Sequence, residues 1–555
     1  MRKGDSVTLT IEKNKYPNMG IGYHEGQKIF VKQAIKGQKV TVRISKKRAE
    51  RIEGRIMEII EKSPMEQASF CEHFGACGGC ALQTLSAEGQ LAMKREMVFN
   101  LFEEAKMPIE ILDVIESPTV FEYRNKMEFS FGDEVIGGPL TLGMHKKGRY
   151  HDVVDVPSCH LVDADYRLLL TEILAYFKAS GLPRYDKKQE KGFLRHLVIR
   201  KSVTTAEILV ALSATTQVPF DGNAFVEMLR ALPLSGELTG VLYVRNDGKS
   251  DMVSGAYDVL FGRDYIMEHL MGLSFKVTLY SFFQTNTRGA EYLYKTALDL
   301  IPDLSDKVCF DLFSGTGTIG QIMAKRARKV IGIEIVPDAV DAANENAKLN
   351  GLDNCTFLCG DVYQTLDTVE ARPDVIVVDP PRAGIGEKAV QRITAYGVPE
   401  IVYISCNPKT LYEDLAWFKR AGYAPADGLK LVDMFPWTYH VETVVLLSHK
   451  KADTHINVNV EFGEGEGKIP VGKIVEKAED QRPSERVTYK MIQEYIESKY
   501  DFKVHTAYIA EVKRDLGLPM YDAPNAVEEL KHPRKNPTIE KVEAIKDALK
   551  HFRLL

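Results

Sequence analysis

Short apolar runs that end in a carboxylate recur in the second half of this chain. The first run, residues 308–312, leads into a glycine-rich stretch, 313–320, and a later run ends at Asp379. Apolar runs without polar alternation are typical of parallel strands that are covered on both faces. The carboxyl ends of such strands form the ligand crevice of an open α/β sheet. We therefore predict an α/β fold for residues 275–450, with a ligand site at this edge.

The glycine-rich stretch narrows the class of ligand. Gly315, Gly317 and Gly320 formally match the GxGxxG turn that binds dinucleotides. Acids recur at the ends of the successive predicted strands, namely at Glu334, Asp361 and Asp379. Together with Asp311-Leu312-Phe313-Ser314 before the turn, this recurrence resembles the Rossmann-like sheet of S-adenosylmethionine-dependent methyltransferases rather than an NAD site. An acid about 20 residues after such a turn is placed to bind ribose hydroxyls.

A cysteine follows the next predicted strand, 401–404. Cys406 precedes Asn407-Pro408, and Asp379-Pro380-Pro381-Arg382-Ala383-Gly384 lies upstream. Both motifs end strands of one sheet, so a carboxylate, an arginine and a thiol are expected at one rim. A thiolate there can act as a nucleophile, and a nearby cation lowers the thiol pKa from about 8.5. The alternative is a buried structural cysteine, which the two motifs disfavour.

A second carboxylate is expected beside this thiol. The segment 431–447 ends in a predicted strand, and His440 and Glu442 within it lie two residues apart. Residues at this spacing face the same side of an extended segment. Glu442 is therefore our candidate general base, with His440 as the alternative.

Four cysteines outside the sheet form a candidate metal site. Cys71, Cys77 and Cys80 follow the spacing CxxxxxCxxC, with glycines that let the backbone curl around one centre, and Cys159 comes later. Four thiolates suit either zinc or an iron–sulfur cluster. The spacing differs from the paired CxxC of a zinc ribbon and from the CxxxCxxC of radical enzymes, so we expect no radical chemistry. Three further cysteines are predicted to lie in the core: Cys309, Cys355 and Cys359.

The N-terminal 60 residues alternate with a strand-like period. Glycines separate three predicted strands, 7–11, 29–31 and 40–44, which indicates a small, OB-like β-barrel. The chain has a net charge of -5, but this segment carries 14 Lys and Arg against 6 Asp and Glu. A basic barrel fits contact with an RNA backbone, and a solvated basic face is the alternative. The segment resembles a TRAM domain, and we expect it to add RNA affinity without supplying catalysis.

These patterns divide the chain into four regions. They are the barrel at 1–61, a sheet-rich central region at 62–274, the methyltransferase-like domain at 275–450, and a C-terminal extension of unknown role at 451–555. The central strand candidates are 126–131, 196–200 and 207–212. In the extension, a linker is predicted at 463–467 and helices at 485–500 and 506–516. The mixture of an aromatic, cations and an amide at 123–126 suits a flipped base, and ordinary strand-edge chemistry explains it equally well.

The sequence also bears on location. Its first residues lack the apolar segment of a signal peptide, and no apolar run approaches the roughly 18 residues needed to span a membrane. We therefore expect a cytoplasmic protein with no membrane partner, in which the eight cysteines do not form a disulfide framework. Nothing in the sequence indicates the oligomeric state.

Several motifs together resemble the RNA (uracil-5-)-methyltransferases over roughly residues 1–450. They are CxxxxxCxxC with Cys159, Phe283-Gln284-Thr285-Asn286, 311–317, 379–384, 405–408, and Phe435-Pro436 with His440-Val441-Glu442. A TRAM domain combined with four cysteines resembles the members that act on 23S rRNA, since the tRNA members generally lack both. Trp437 departs from the family, which more often has a polar residue there.

This resemblance implies a reaction and the residues that perform it. A methyl group would pass from S-adenosylmethionine to C5 of uridine in RNA, through a covalent bond between Cys406 and C6, with Glu442 as the base. Arg382 would either stabilise the developing oxyanion or only hold the Cys406 loop. The implied [4Fe–4S] ligands are Cys71, Cys77, Cys80 and Cys159. The implied S-adenosylmethionine-binding residues are Gln284, Phe313, Glu334, Asp361 and Asp379.

Other functions compete with this interpretation. A tRNA uracil-5-methyltransferase would use the same chemistry on another RNA. An RNA cytosine-5 methyltransferase attacks C6 in the same way, but its nucleophile normally follows a proline, whereas Pro408 comes after Cys406. A non-enzymatic ribosome-assembly factor with a silent methyltransferase fold is disfavoured by the intact Cys406, Glu442 and glycine turn.

Overall fold

The structure is a computed structural model that describes residues 1–48, 51–301, 303–449, 489–500, 502–516, 518 and 538–552. The chain divides into two compact units, Met1–His455 and Ile456–Leu555. Among the described residues, no helix is both long enough and apolar enough to cross a membrane.

The N-terminal segment is a closed barrel of five strands in the order β1-β2-β3-β5-β4. The strands are β1 (Ser6–Lys15), β2 (Met19–His24), β3 (Gln27–Lys32), β4 (Lys39–Arg48) and β5 (Arg51–Glu61). The three predicted strands are confirmed, but Gly20 and Gly22 lie inside β2 and do not separate strands. A Cβ on Gly22 would lie 2.4 Å from the Thr10 carbonyl oxygen, so these glycines allow neighbouring strands to approach closely.

The central region contains a seven-stranded sheet in the order β13-β12-β11-β10-β7-β8-β9. Its strands are β7 (Lys126–Gly132), β8 (Thr141–Lys146), β9 (Arg149–Asp155), β10 (Leu194–Lys201), β11 (Glu207–Ala214), β12 (Glu237–Arg245) and β13 (Tyr257–Gly262). The helices are α1 (Ala87–Glu104), α2 (Ala164–Ser180) and α3 (Gly222–Arg230). A hairpin of β14 (Tyr265–Leu270) and β15 (Leu273–Thr278) follows the sheet. All three predicted central strands are confirmed.

An eight-stranded sheet in the order β18-β17-β16-β19-β20-β22-β21-β6 forms the methyltransferase-like part. Its strands are β6 (Ile111–Ile115), β16 (Val308–Leu312), β17 (Lys329–Glu334), β18 (Cys355–Cys359), β19 (Val375–Val378), β20 (Glu400–Ser405), β21 (Tyr423–Val432) and β22 (Glu442–His449). The helices are α4 (Thr287–Leu298), α5 (Thr318–Ala324), α6 (Pro337–Leu349), α7 (Val362–Thr365), α8 (Glu387–Ala395) and α9 (Pro408–Arg420), with a 3-10 turn at Leu366–Thr368.

Strand direction locates the ligand crevice in this sheet. The five strands β18, β17, β16, β19 and β20 are parallel to one another, and β22 runs antiparallel to both β20 and β21. The strand order reverses between β16 and β19, and such a switch point is where open α/β sheets bind ligands. The α/β prediction is therefore confirmed. Strand β6, which comes from the central region, completes the far edge by pairing with β21, and the four-region division stays a prediction.

The C-terminal unit contains three described helices. They are α10 (Tyr489–Tyr500), α11 (Thr506–Asp515) and α12 (Ile539–His551). Ile492, Ile509 and Ile545, one from each helix, are fully buried in a shared core. The two predicted helices are present where the chain is described, and α12 was not predicted. The predicted linker at 463–467 and residues 485–488 lie outside the described residues.

Candidate active site

Strand ends bring the predicted functional residues to one rim. Glu334 is the last residue of β17, and Asp379 and Cys406 directly follow β19 and β20. The parallel registers pair Leu312 with Val378 and Val378 with Tyr403, so these strands end side by side. The sheet therefore carries a row of carboxylates and one thiol along its carboxyl edge, as the sequence predicts.

The antiparallel pairing of β20 with β22 places Cys406 beside Glu442. Ser405 pairs with Thr443, and the Thr443 hydroxyl donates a 3.0 Å hydrogen bond to the Ser405 carbonyl oxygen. Cys406 directly follows Ser405, and Glu442 directly precedes Thr443. The antiparallel register therefore brings Cys406 and Glu442 together. A candidate nucleophile and a candidate base thus meet at the end of two neighbouring, mostly buried strands.

The loop that follows β19 is tied to the same place. The Asn407 side chain donates a 2.9 Å hydrogen bond to the Arg382 carbonyl oxygen. Asn407 also caps α9, since its side chain accepts a hydrogen bond from the Lys409 N–H, and Pro408 occupies the first turn. The Asn407-Pro408 sequence therefore stops the strand, starts the helix and fixes the Arg382 loop against Cys406.

Burial dominates the electrostatics of this pair. It raises the pKa of the Cys406 thiol to about 11, with a further contribution from the negative charges of Glu442 and Asp379. Burial likewise raises the pKa of Glu442 to about 8, and Asp379 adds to this effect. The positive charge of Arg382 lowers both pKa values, as the predicted nearby cation should, but it does not outweigh burial. The thiol is therefore neutral at pH 7 without substrate.

His440, the alternative base, lies in the loop before β22. Burial, together with the positive charges of Arg382, Lys94 and Arg124, lowers its pKa to about 4. A general base works best when its pKa lies near the working pH. Because the pKa of Glu442 is about 8, this carboxylate is the better placed proton acceptor of the two.

The glycine turn is held by two of the acids. The Gly315 N–H donates a 3.0 Å hydrogen bond to Glu334, and the Gly320 N–H donates a 2.7 Å bond to Asp311. Gly317 has a φ of +74°, and a Cβ there would lie 2.4 Å from the Phe357 ring, so only glycine fits. The turn thus presents bare backbone next to an oriented carboxylate.

Asp311 was not proposed as a site residue, although the structure gives it an unusual environment. Its carboxylate is fully buried, and one oxygen has no hydrogen-bond partner among the described residues. Burial raises its pKa to about 8, and burial also raises the pKa of Asp379 to about 7. The position of Asp311 inside an apolar strand, just before the glycine turn, was the available sequence signal.

The remaining predicted cofactor residues lie around the same crevice. Phe313 has a φ of +65° and directly follows β16, and Asp361 directly follows β18. The Gln284 carbonyl oxygen accepts a 2.8 Å hydrogen bond from the Asn125 side chain, which also donates to Thr287. Asn125 belongs to the segment 123–126 that was predicted to contact a flipped nucleobase. Its side chain therefore holds the chain around Gln284 in place.

Two residues of the loop before β22 make structural contacts that the sequence did not indicate. Trp437 is buried, and its ring packs on Phe121 with the centroids 5.3 Å apart, so this departure from the family serves the core. Asp433 forms a buried 2.6 Å ion pair with Lys94 of α1, which also donates to the Phe435 carbonyl oxygen. Partners more than 300 residues apart leave no local pattern in one sequence.

The four predicted metal-ligand cysteines come together at a separate cavity. Together with several apolar side chains, these cysteines line one cavity. They are Cys71, Cys77, Cys80 and Cys159. Burial raises the pKa of the Cys80 thiol to about 12, and the charges of the other three thiols add to this effect. The Gly79 N–H donates to the Cys77 sulfur at 3.3 Å. We call this the four-cysteine cavity.

The candidate metal ligands in this cavity are thiols, and backbone N–H groups lie around them. Thiolates are soft ligands that suit zinc and iron–sulfur centres. Among the described residues, no three or more His, Cys, Asp or Glu side chains are arranged closely enough for a single metal ion. Elsewhere, Cys309 and Cys355 are buried as predicted, but the prediction for Cys359 is wrong: it ends β18 at an exposed position.

Family profiles match three parts of the chain. A TRAM domain matches residues 2–57, a methyltransferase domain matches residues 310–392, and the tRNA (uracil-5-)-methyltransferase family matches residues 363–450. The first match covers the barrel, and the third contains Cys406 and Glu442. The TRAM prediction is confirmed by this match and by the closed barrel.

Relatives extend the likeness over most of the chain. An "uncharacterized RNA methyltransferase" of Clostridium acetobutylicum is 47% identical over 452 residues, covering 81% of this chain and 99% of the relative. One from Listeria innocua is 34% identical over 459 residues with the same coverage. The crystal structure of the Pyrococcus abyssi tRNA (uracil-54, C5)-methyltransferase in complex with S-adenosyl-L-homocysteine has a TM-score of 0.63 and 25% identity, covering 79% of this chain and 100% of that chain.

Fold, site and relatives together define an S-adenosylmethionine-dependent methyltransferase that acts on RNA. The chain belongs to the RNA (uracil-5-)-methyltransferase family, and it carries an N-terminal TRAM domain.

Proposed function

We propose that the protein transfers a methyl group to C5 of uridine in 23S rRNA through a covalent adduct with Cys406. The observation that carries the proposal is the strand register that sets Cys406 beside Glu442, at the rim that also holds Arg382. Uracil C5 is a poor nucleophile, and thiol addition at C6 is the chemistry that activates it. A pocket with one thiol, one base and one cation contains the groups that this chemistry needs.

The reaction proceeds in two stages around the chain's own residues. Cys406 gives up its proton to solvent, its sulfur bonds to C6, and the electron pair of the C5–C6 double bond moves toward C5 and O4. S-adenosylmethionine supplies the methyl group that C5 takes up. Glu442 then accepts the proton from C5, the double bond forms again, and the sulfur leaves C6. Arg382 stabilises the negative charge on the pyrimidine oxygen during the first stage.

The five predicted cofactor residues would hold the methyl donor at the switch point of the sheet. Glu334 is oriented by N–H groups of Gly315, Ile335 and Val336, which leaves its carboxylate fixed at the strand end where ribose hydroxyls bind in such folds. The residues assigned to the donor are Gln284, Phe313, Glu334, Asp361 and Asp379.

We propose that the four-cysteine cavity holds a structural [4Fe–4S] cluster. Four thiolates on one zinc ion would all lie about 2.3 Å from it, which requires a tight set of sulfurs. A cubane cluster binds one cysteine at each iron, and the four thiols that line one cavity supply the four ligands that such a cluster needs. Methyl transfer needs no electron, so the cluster would stabilise the fold.

A basic groove on the barrel supports the proposal that the substrate is RNA. Arg43 and Arg55 are directly paired across β4 and β5, and together with Lys3 they line one groove. Like charges that face each other across strands are unfavourable unless an anion lies between them. Neither arginine forms an ion pair with any described residue, so both are available to phosphates.

The choice of 23S rRNA rests on the TRAM domain together with the four cysteines. A tRNA substrate is the second candidate, and it is favoured by the match to the tRNA (uracil-5-)-methyltransferase profile and by the likeness to the P. abyssi enzyme. Unmodified transcripts of 23S rRNA and tRNA, offered in parallel with labelled S-adenosylmethionine, distinguish the two by which RNA gains 5-methyluridine.

A denaturing gel with RNA that contains 5-fluorouridine tests the chemistry. Fluorine cannot leave C5 as a proton, so the wild-type protein should trap a methylated covalent adduct that migrates as a shifted band. Cys406→Ala should give no shifted band and no methyl transfer, whereas Cys359→Ala should behave as wild type because Cys359 is exposed and distant along the sheet edge. A shifted band with Cys406→Ala would overturn the mechanism.

A further inference from the structure

The barrel packs on helix α1 of the central region. The Tyr16 N–H donates to the Met97 carbonyl oxygen of α1 at 3.3 Å, and the Asn100 side chain of α1 donates to the Asn14 carbonyl oxygen at 2.6 Å. Lys28 of the barrel forms a 2.6 Å ion pair with Glu104. The end of β1 is therefore fixed in position on α1.

Tyr16, which follows the end of β1, lies at the catalytic pocket. Its side chain is buried, and its ring forms an edge contact with Tyr439, with centroids 6.3 Å apart and planes at 69°. The Tyr439 ring lies 4.3 Å from the His440 ring, two residues before Glu442. A barrel side chain thus continues the aromatic wall of the loop that carries the candidate base.

The charges of the reacting groups also act on the Tyr16 hydroxyl. Burial raises the pKa of Tyr16, the charges of Tyr439, Cys406 and Glu442 raise it further, and the charge of Arg382 lowers it. The phenol keeps its proton at neutral pH and is a hydrogen-bond donor.

This donor makes no hydrogen bond with any described residue of the protein. It is also absent from the buried side-chain atoms that lack a partner, so solvent or a ligand can reach it. A phenol whose ring packs against Tyr439 and whose hydroxyl donor is free at this wall of the pocket is placed to bind a substrate.

We propose that the Tyr16 hydroxyl donates a hydrogen bond to an oxygen of the RNA nucleotide held beside Cys406, so that the barrel supplies part of the catalytic pocket. This inference rests on the proposed function, because it requires RNA to occupy that pocket. It departs from the expectation that the barrel adds affinity alone. The barrel would then couple capture of the RNA by its basic groove to placement of one nucleotide at the thiol.

Tyr16→Phe tests the role of the hydroxyl, because the ring and its contact with Tyr439 remain. With the better of the 23S rRNA and tRNA transcripts, kcat/KM should fall about three- to tenfold, the range expected for one lost hydrogen bond to an uncharged group. The salt dependence of RNA binding should not change, since no charge is removed. Tyr23→Phe, on the exposed side of the same barrel, is the matched control and should behave as wild type.

A second measurement separates substrate contact from packing. The melting temperature of Tyr16→Phe without RNA should equal that of the wild type, because the hydroxyl has no partner within the described protein. Unchanged kcat/KM would overturn the inference, and so would a loss of activity matched by a loss of stability.

RNA binding separates this inference from the proposed function. If the wild-type protein methylates an atom other than uridine C5, or neither transcript, the proposed function fails. The ratio of the Kd values of Tyr16→Phe and the wild type for the 23S rRNA transcript still tests Tyr16. A three- to tenfold ratio supports the contact, and equal Kd values reject it.

Discussion

The thiol at the sheet rim and the thiols of the four-cysteine cavity are all partly buried, but they face different chemistry. Cys406 faces two carboxylates and one guanidinium at the mouth of a ligand crevice. The four cavity thiols face one another among apolar side chains. Burial raises the pKa at both places, so burial alone does not separate a nucleophile from a ligand. The charged groups around a thiol decide its role.

Among the variants that keep Cys406, Glu442→Gln should reduce turnover the most. The carboxamide keeps the size of the side chain but cannot accept the C5 proton, so turnover should fall about 10²–10⁴-fold. Sulfur addition and methyl transfer still proceed, so a covalent adduct should build up on ordinary uridine RNA. Rapid quenching followed by a denaturing gel measures this adduct.

Two further variants test whether the effect belongs to Glu442 alone. Glu413→Gln changes an exposed carboxylate on α9, and its turnover should match the wild type. His440→Gln should retain most of its activity, because a group with a pKa of about 4 is a weak proton acceptor. If His440→Gln accumulates the adduct and Glu442→Gln does not, the base is His440.

Alkylation should next separate Cys406 from an exposed thiol. A thiol pKa of about 11 leaves only a small fraction of Cys406 as thiolate at pH 7, so iodoacetamide should label Cys406 much more slowly than the exposed Cys359. Because the pKa is raised, the Cys406 rate should rise about tenfold for each pH unit up to about pH 11. Mass spectrometry of the two peptides gives both rates.

Removal of one negative charge sharpens this test. Glu442→Gln should speed the labelling of Cys406 at pH 9, where the wild-type carboxylate, with a pKa of about 8, is ionised and opposes thiolate formation. The labelling of Cys359 should not change. Equal rates for Cys406 and Cys359 in the wild type at pH 7 would show that burial does not control this thiol.

The cavity cysteines should affect metal content and stability more than chemistry. Anaerobically purified wild-type protein should be brown and contain iron, and Cys80→Ser should lose most of the iron and melt at a lower temperature, because metal binding stabilises the folded state. The fraction of Cys80→Ser that remains folded should still form the fluorouridine adduct. Cys359→Ser is the control and should keep its iron, whereas stoichiometric zinc without iron in the wild type would contradict the cluster.

The sequence predicted what local patterns encode. Apolar runs that end in Glu334, Asp379 and Ser405 predicted both the parallel sheet and its functional edge, because a strand buried on both faces needs an unbroken apolar sequence. Spacing likewise grouped Cys71, Cys77 and Cys80, since a short loop holds its members close together whatever the surrounding fold.

Contacts between distant segments were not predictable in this way. The Lys94–Asp433 ion pair and the contact of Tyr16 with Tyr439 join residues from different regions, and neither side carries a distinctive motif. Strand β2 was missed because its glycines resemble turn residues until a neighbouring strand is seen to pass 2.4 Å from the position of a Cβ. Cys359 was misplaced because the last residue of an edge strand is not covered on both faces.

Loss of the C-terminal unit should have the smallest effect. Both thiol sites lie within Met1–His455, and the helices of the second unit have their own core around Ile492, Ile509 and Ile545. A protein that ends near residue 455 should therefore keep its iron content, its fluorouridine adduct and its turnover on a short RNA. If the truncated protein folds but loses turnover, the second unit supplies something to the site. If it keeps turnover on short RNA but loses it on whole 23S rRNA, the second unit contributes to recognition of the large substrate.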